Sequence, residues 1–184
     1  MSTPERKIRI AITGPESTGK TTLARQLAEH FDGVFIPEFA REYVGTLPGH
    51  YSFEDVEIIA RQQLQQYSGT IASPEKFYFF DTWLIITKVW FRWVYAKVPE
   101  WLEEKIAECP VDLYLLCLPD LPWEADDVRE NGGENRLRLF EEYHKELTAY
   151  GFPFVEIGGN GEERFKRAVS AVLNFLQSHE SFLR

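Results

Sequence analysis

Residues 14–22 decide the fold, and they read Gly14-Pro15-Glu16-Ser17-Thr18-Gly19-Lys20-Thr21-Thr22. This stretch contains the pattern G-x-x-x-x-G-K-[ST], which is a phosphate-binding loop when a strand precedes it and a helix follows it. An apolar run precedes the loop at residues 8–13, and leucines and alanines at helical spacing follow it at residues 23–28. The sequence therefore predicts a bound nucleoside triphosphate. The flanking strand and helix argue against the alternative, a glycine-bearing turn with a solvated lysine.

Each part of this loop has a chemical task. Glycines let the backbone wrap closely, so that successive N–H groups and the helix N-terminus can face phosphate oxygens. The lysine reaches the β- and γ-phosphates, and the following threonine hydroxyl ligates Mg²⁺. The residues predicted to bind the nucleotide are Gly14, Glu16, Ser17, Thr18, Gly19, Lys20, Thr21 and Thr22.

Composition restricts the class of partner. The chain has 184 residues and a net charge of −9, and no stripe of lysine or arginine occurs along it. A nucleic-acid-binding protein normally carries a basic surface, so nucleic acid is not an expected partner. The length suits one domain with a small lid.

Neither a membrane segment nor a metal-binding cysteine pattern is expected. The first seven residues are polar, unlike a signal peptide, and three charged residues interrupt the longest apolar region, residues 77–96. Cys109 and Cys117 are the only cysteines, and they lack the spacing of a metal site. We therefore expect a cytoplasmic protein that does not contact a membrane.

Apolar runs and helical periodicity alternate along the chain. Strands are expected at residues 8–13, 34–36, 77–81, 111–118 and 154–157. Helices are expected at residues 20–30, from Ser52 to the stop at residues 73–74, after Asp81, and at residues 101–107, 135–149 and 162–178. This alternation predicts an α/β fold of the P-loop NTPase type, a five-stranded parallel sheet flanked by helices. The chain is expected to be a single domain, residues 1–184, with a lid segment at about 119–138.

Carboxylates end the second and third predicted strands. Ligands of open parallel sheets bind outside the carboxyl ends of the strands. Asp81 is expected to hold Mg²⁺, the alternative being a cap on the next helix. Glu38 is expected to orient an acceptor hydroxyl and take its proton. Arg41 either holds a ligand or pairs with Glu42. Which of Glu38 and Asp81 acts as the base stays open at this point.

The predicted lid carries cations and one tryptophan. Arg129, Arg136 and Arg138 are candidates to neutralise charge on a transferred phosphoryl group, with Arg136 also expected to contact the nucleotide. Trp123 stands near acids that include Asp126 and Asp127, and we expect it to stack on an aromatic ring, particularly a cationic one. The alternative is a charged surface helix.

Two further observations bear on the reaction. Thr82 follows Asp81 where motor-type ATPases commonly have a water-positioning glutamate, which favours transfer to a bound hydroxyl over hydrolysis. No N-K-x-D motif occurs, so a guanine-specific GTPase loses support.

Aromatic residues at helical spacing from Trp83 to Trp93 are interpreted as core packing or a dimer face, so a homodimer is a further expectation.

Four motifs, in this order, resemble the ribosylnicotinamide kinase domain of bacterial NadR-type proteins. They are G-P-E-S-T-G-K-T-T, P-E-F-A-R-E-Y-V, F-F-D-T-W and W-E-A-D-D-V-R-E-N-G. The resemblance covers residue 8 to about residue 176. It implies a nucleoside-kinase-like fold that uses ATP and Mg²⁺ to phosphorylate the 5′-hydroxyl of nicotinamide riboside, giving nicotinamide mononucleotide.

The resemblance also assigns roles to residues. Lys20 and Thr21 would bind phosphates and magnesium; Glu38, Arg41 and Asp81 would line the acceptor and metal site. Trp123, Asp126, Asp127 and Arg129 would belong to the region that covers the substrate. NadR proteins usually carry an adenylyltransferase domain, and often a DNA-binding helix-turn-helix, before the kinase domain. This sequence shows neither of these, so adenylyltransferase and repressor activities are not expected of it. The alternatives are a kinase for another nucleoside, or a nucleotide-switched ATPase whose aromatic helix at residues 83–95 contacts a partner.

Overall fold

A computed structural model describes residues 6–125 and 129–178, and its centre is a five-stranded parallel sheet. The strands lie in the order β2-β3-β1-β4-β5. The strands are β1 Ile8–Thr13, β2 Val34–Ile36, β3 Phe77–Asp81, β4 Leu113–Cys117 and β5 Phe154–Ile157. The helices are α1 Lys20–His30, α2 Phe39–Thr46, α3 Phe53–Ala72, α4 Leu84–Tyr95, α5 Glu100–Glu108, α6 Glu134–Tyr150 and α7 Gly161–Ser178. The α/β fold class is therefore confirmed.

Strand β1 lies at the centre of the sheet because it is apolar on both faces. Ile10 and Ile12 are fully buried, as expected for a strand covered by helices on either side. Ile10 pairs with Phe79 of β3, and Ile12 pairs with Leu115 of β4. Both neighbours run parallel to β1, so the ends of all three strands meet at one edge of the sheet.

Helices cover the two faces of the sheet. Helices α1 and α7 pack on one face, where Leu23, Leu27 and Val172 join a buried cluster with Phe79. Residues of α3 to α6 pack on the other face around Phe80, Trp83 and Tyr114. Successive residues of β3 alternate between the two clusters, with Phe79 on one face and Phe80 on the other, as the two-residue period of a strand requires.

The largest differences from the sequence prediction lie just after β2 and at β4. Residues 39–46, for which no element was predicted, form helix α2, and none of its residues is buried. Strand β4 is shorter than the predicted 111–118. The predicted lid contains no helix or strand before α6 within residues 119–125 and 129–133, so the expected loop is confirmed there.

Helix α3 begins where the sequence indicated. The Ser52 hydroxyl accepts a hydrogen bond from the Asp55 N–H at 3.2 Å, and Asp55 accepts one from the Ser52 N–H at 2.7 Å. This reciprocal pair is a capping box, which satisfies two N–H groups that the first turn of a helix leaves open.

Over the described ranges, none of the helices has the length and apolar character needed to cross a bilayer.

Two glycines give a matched test of the packing. A Cβ on Gly33 would lie 2.8 Å from both the Cβ and the carbonyl oxygen of Phe77, whereas a Cβ on Gly69 in α3 would meet nothing within 4 Å. We expect Gly33→Ala to lower the free energy of unfolding by about 1–3 kcal/mol. Gly69→Ala should raise it by about 0.5–1 kcal/mol, because alanine favours a helix. Chemical denaturation measures both, and shifts of the same sign would contradict the described packing.

Candidate active site

The phosphate loop is held tightly against the end of the sheet. Gly14 has φ 144°, and a Cβ at this position would lie 2.7 Å from the carbonyl oxygen of Cys117 at the end of β4. Gly19 adopts φ 75° as the N-cap of α1. Both glycines are therefore required, one by a close approach and the other by a left-handed backbone. The loop leads directly into the N-terminus of α1, which favours anions.

Lys20 lies across its own loop. Its Nζ atom donates a hydrogen bond of 2.8 Å to the carbonyl oxygen of Pro15, and the Thr18 hydroxyl donates to the same oxygen at 2.8 Å. The ammonium group is thus kept above the loop, within the cavity that the loop borders. Phosphate oxygens that enter this cavity meet a cation already in place.

A cavity of about 430 Å³ extends from this loop. The predicted nucleotide-binding residues 14 and 16–22 line it, together with Glu38 and Arg41. Tyr51, Trp90 and Trp93 line the same cavity. The cavity therefore brings phosphate-binding and aromatic residues together, a size and arrangement suited to small ligands.

Glu38 follows β2 and lies half-buried in the cavity wall. The pKa of its carboxyl group is raised from 4.5 to about 7, because burial and the nearby Asp81 raise it more than Lys20 and Arg41 lower it. Burial is the largest of these effects because it removes water from the charged form. A carboxyl group with a pKa near neutrality can accept and release a proton under working conditions.

Asp81 ends β3 and is 2% exposed. Neither of its carboxylate oxygens has a hydrogen-bond partner of ordinary geometry within the described chain. Burial raises its pKa, whereas the nearby Thr21 hydroxyl and Lys20 lower it. The helix that follows has Trp83 as its N-cap and no side-chain cap, so the alternative role for Asp81 as a helix cap is excluded.

Asp81 and Thr21 together suit a magnesium ion. A buried carboxylate without partners and an adjacent hydroxyl are oxygen donors, the type that Mg²⁺ prefers. Magnesium is bound in such sites through one or two protein ligands plus phosphate oxygens. The described residues contain no cluster of three or more His, Cys, Asp or Glu side chains that could hold a metal without a nucleotide.

The lid is joined to the phosphate loop through Glu16. Its carboxylate accepts hydrogen bonds from the N–H of Glu130 at 3.2 Å and the N–H of Asn131 at 3.0 Å, and from the Asn131 side chain at 3.1 Å. Arg129 lines the cavity, and its guanidinium donates to the carbonyl of Glu124 at 2.5 Å. Glu16 was predicted to bind the nucleotide, which stays a prediction; in the structure its carboxylate binds the lid.

Other lid residues lie away from the cavity lining. Trp123 is 37% exposed and packs against Gly132. Arg136 contacts backbone carbonyls of the lid and the phosphate loop, and exposed Arg138 lies 3.7 Å from Glu134. Asp126 and Asp127 fall outside the described residues. The roles predicted for these five residues stay predictions.

Several cavity residues were missed at the sequence level. Trp90 and Trp93 belong to the aromatic stripe interpreted as core or dimer face; Trp83 is core, but the other two line the cavity. Tyr51 and Tyr143 line it as well, the first held by a 2.8 Å hydrogen bond to Glu130. The stripe itself was the available signal, because α4 is apolar on nearly all sides and only part of it can face the sheet.

The sequence is similar to that of a known protein. NadR of Salmonella typhimurium, a trifunctional NAD biosynthesis/regulator protein, is 28% identical over 169 residues, or 89% of this chain. The chain spans only 41% of that relative's length.

Solved structures share the fold. NadR in complex with NR has a TM-score of 0.75 at 24% identity, covering 92% of this chain and 50% of that one. NadR in complex with NAD and AMP-PNP has a TM-score of 0.75 at 25% identity, covering 92% and 49%. Thymidylate kinase from Ehrlichia chaffeensis has a TM-score of 0.67 at 14% identity, covering 93% and 99%.

A family model described as an AAA domain matches residues 9–164, which span the phosphate loop, Glu38, Asp81 and the described lid residues. This match includes most of the chain and, apart from Ile8 at the start of β1, all five strands of the sheet. The chain therefore belongs to the AAA domain family.

Proposed function

We propose that this chain transfers the γ-phosphoryl group of ATP to the 5′-hydroxyl of nicotinamide riboside, producing nicotinamide mononucleotide and ADP. The observation that carries the proposal is a cavity lined by the phosphate loop with Lys20, by Glu38 and by aromatic side chains. Similarity to NadR, whose structures hold NR or NAD with AMP-PNP, supports this choice of ligands.

The phosphate loop would bind the triphosphate. Backbone N–H groups and Lys20 face the position of the phosphates. Thr21 and Asp81 would hold Mg²⁺, which when bound neutralises charge on the phosphate oxygens. The proximity of Thr21 to Asp81 supports a metal role for Asp81, with Glu38 as the residue that meets the acceptor.

Glu38 would act as the general base. The 5′-oxygen of the acceptor forms a bond to the γ-phosphorus, and the bond from that phosphorus to the β–γ bridging oxygen breaks, so that ADP leaves. The hydroxyl proton passes to the Glu38 carboxylate. Lys20 and Arg129, which line the same cavity, would stabilise charge on the phosphoryl group as it moves.

The aromatic residues of the cavity would hold the nicotinamide ring. The rings of Tyr51 and Trp90 lie 4.8 Å apart in an edge-to-face arrangement, and Trp93 lines the same cavity. The nicotinamide ring of the riboside carries a positive charge, which tryptophan and tyrosine faces attract. The same arrangement disfavours the alternative of a partner-binding aromatic helix, because Ile86, Trp90 and Trp93 face the cavity.

A panel of nucleosides tests the proposal. With ATP and Mg²⁺, nicotinamide riboside should raise ADP formation about 100-fold or more above the rate with ATP alone, because a bound acceptor places its hydroxyl beside the phosphate. Uridine, adenosine and nicotinic acid riboside serve as comparison acceptors, and Lys20→Ala as the blank. Mass spectrometry identifies the product. A faster reaction with another nucleoside would change the acceptor, and no acceleration by any of them would refute the kinase.

Two tryptophan variants test whether Trp93 of the cavity or Trp123 of the lid contacts the acceptor. Trp93→Ala should raise KM for the acceptor about tenfold and leave KM for ATP within about twofold, because stacking and cation–π contact are lost. Trp123→Ala is the matched variant and should change acceptor KM little, since Trp123 packs on Gly132. Steady-state kinetics with each substrate varied measures both. A raised acceptor KM in Trp123→Ala, with an unchanged acceptor KM in Trp93→Ala, would instead show that Trp123 stacks on the nicotinamide ring.

The pKa of Glu38 predicts how turnover depends on pH. Because only the carboxylate accepts a proton, kcat/KM for the acceptor should rise with pH and level off above the pKa of about 7. Glu38→Gln should lower kcat about 100-fold or more, abolish this rise and keep nucleotide affinity. Glu42→Gln is the control, because Glu42 is an exposed carboxylate in helix α2, directly after Glu38, and this variant should retain the wild-type profile. Equal loss of nucleotide binding and turnover would instead assign Glu38 to nucleotide binding.

A further inference from the structure

Arg164 is a buried arginine that the proposed mechanism does not use. It lies in the first turn of α7 and is 4% exposed. Its guanidinium pairs with the carboxylate of Asp120 in the loop after β4. Burying an arginine is unfavourable unless its donors are used, so its other contacts indicate what it does.

Those contacts are backbone carbonyls around the nucleotide end of the sheet. Arg164 donates to the carbonyl of Thr18 at 3.0 Å and to the carbonyl of Gly159 at 2.8 Å. It also approaches the carbonyls of Ile157 at 3.3 Å and Leu118 at 3.4 Å. A single side chain thus fixes the phosphate loop to the ends of β4 and β5.

Arg136 makes an equivalent contact with the preceding peptide unit. Its guanidinium donates to the carbonyl of Ser17 at 3.1 Å and to the carbonyl of Leu121 at 2.9 Å. Arg136 is 7% exposed, and it forms no ion pair with any of the described residues. Two buried cations therefore hold the carbonyls of Ser17 and Thr18, which are consecutive in the loop.

Holding a carbonyl also fixes the N–H group of the next residue. In a planar trans peptide the C=O of one residue and the N–H of the next point in opposite directions. The loop contains no cis peptide bond. Carbonyls of Ser17 and Thr18 that face the two arginines therefore turn the N–H groups of Thr18 and Gly19 away from them. Both residues line the cavity.

We propose that Arg164, together with Arg136, is a positioning residue for the nucleotide, which keeps the Thr18 and Gly19 N–H groups directed at its phosphates. The inference rests on the proposed function only in requiring that the loop binds a nucleotide. The planar fork of arginine, which serves several carbonyls at once, does the positioning; a lysine at residue 164 keeps the charge but not the fork.

Direct titration with MgADP tests this role without an acceptor. Arg164→Lys and Arg164→Gln should each weaken MgADP binding about tenfold, and the lysine variant should not rescue it. Arg167→Gln is the control, because Arg167 is exposed one turn along α7 and pairs with Glu163. In ¹⁵N-labelled protein, the Thr18 and Gly19 amide resonances should shift strongly with MgADP in the wild type and weakly in the variants.

The outcomes distinguish this inference from its premise. A wild-type chain that binds no MgADP refutes the proposed function, and with it the role of Arg164. Wild-type affinity in Arg164→Lys would show that charge alone matters and overturn the positioning role. Weaker binding with unchanged amide shifts would likewise overturn it. Thermal unfolding of each variant confirms that the titrations are made on folded protein, and Arg164→Lys, the least disruptive change, decides if Arg164→Gln does not fold.

Discussion

The parallel pairing of β1 with β3 and β4 is the constraint on which the site depends. Ile12 of β1 lies opposite Asp81, so the end of β3 is level with the start of the phosphate loop. On the other side, the loop begins so close to Cys117 of β4 that only glycine fits at residue 14. These two neighbours fix both the carboxylate beside the loop and the path of the loop itself. Helices on both faces then bury every residue of β1 except Arg9 and leave its end as the site.

The sequence predicted those parts of the structure that depend on local pattern. Helix α1 and strand β5 have the predicted bounds, because a loop motif or glycines delimit them. Helix α2 was not predicted, since its eight residues are fewer than the window over which helical periodicity can be recognised. The positions of Trp90 and Trp93 depend on how α4 lies over the sheet. Apart from the ion pair between Arg164 and Asp120, the contacts of Arg136 and Arg164 are to backbone carbonyls, which leave no pattern in a sequence.

Charge is distributed unevenly in this acidic chain. The net charge is −9, yet Lys20, Arg136 and Arg164 converge on one loop of the chain. Carboxyl groups also stand near that loop, and a carboxylate would repel a triphosphate. Burial raises the pKa of Glu38 to about 7, so this group is partly protonated near neutral pH and repels a triphosphate less. The site can therefore hold acids and a polyanion close together.

The raised pKa of Glu38 has a consequence for folding as well. The carboxyl group has a pKa near 4.5 in the unfolded chain and about 7 in the folded one, so folding takes up a proton between these two values. Stability must then decline as pH rises through that interval, and the full penalty is present above pH 7. The alkaline side, where the carboxylate is ready to accept a proton, is also where this side chain most weakens the fold. Reactivity at this position is thus obtained at the expense of thermodynamic stability.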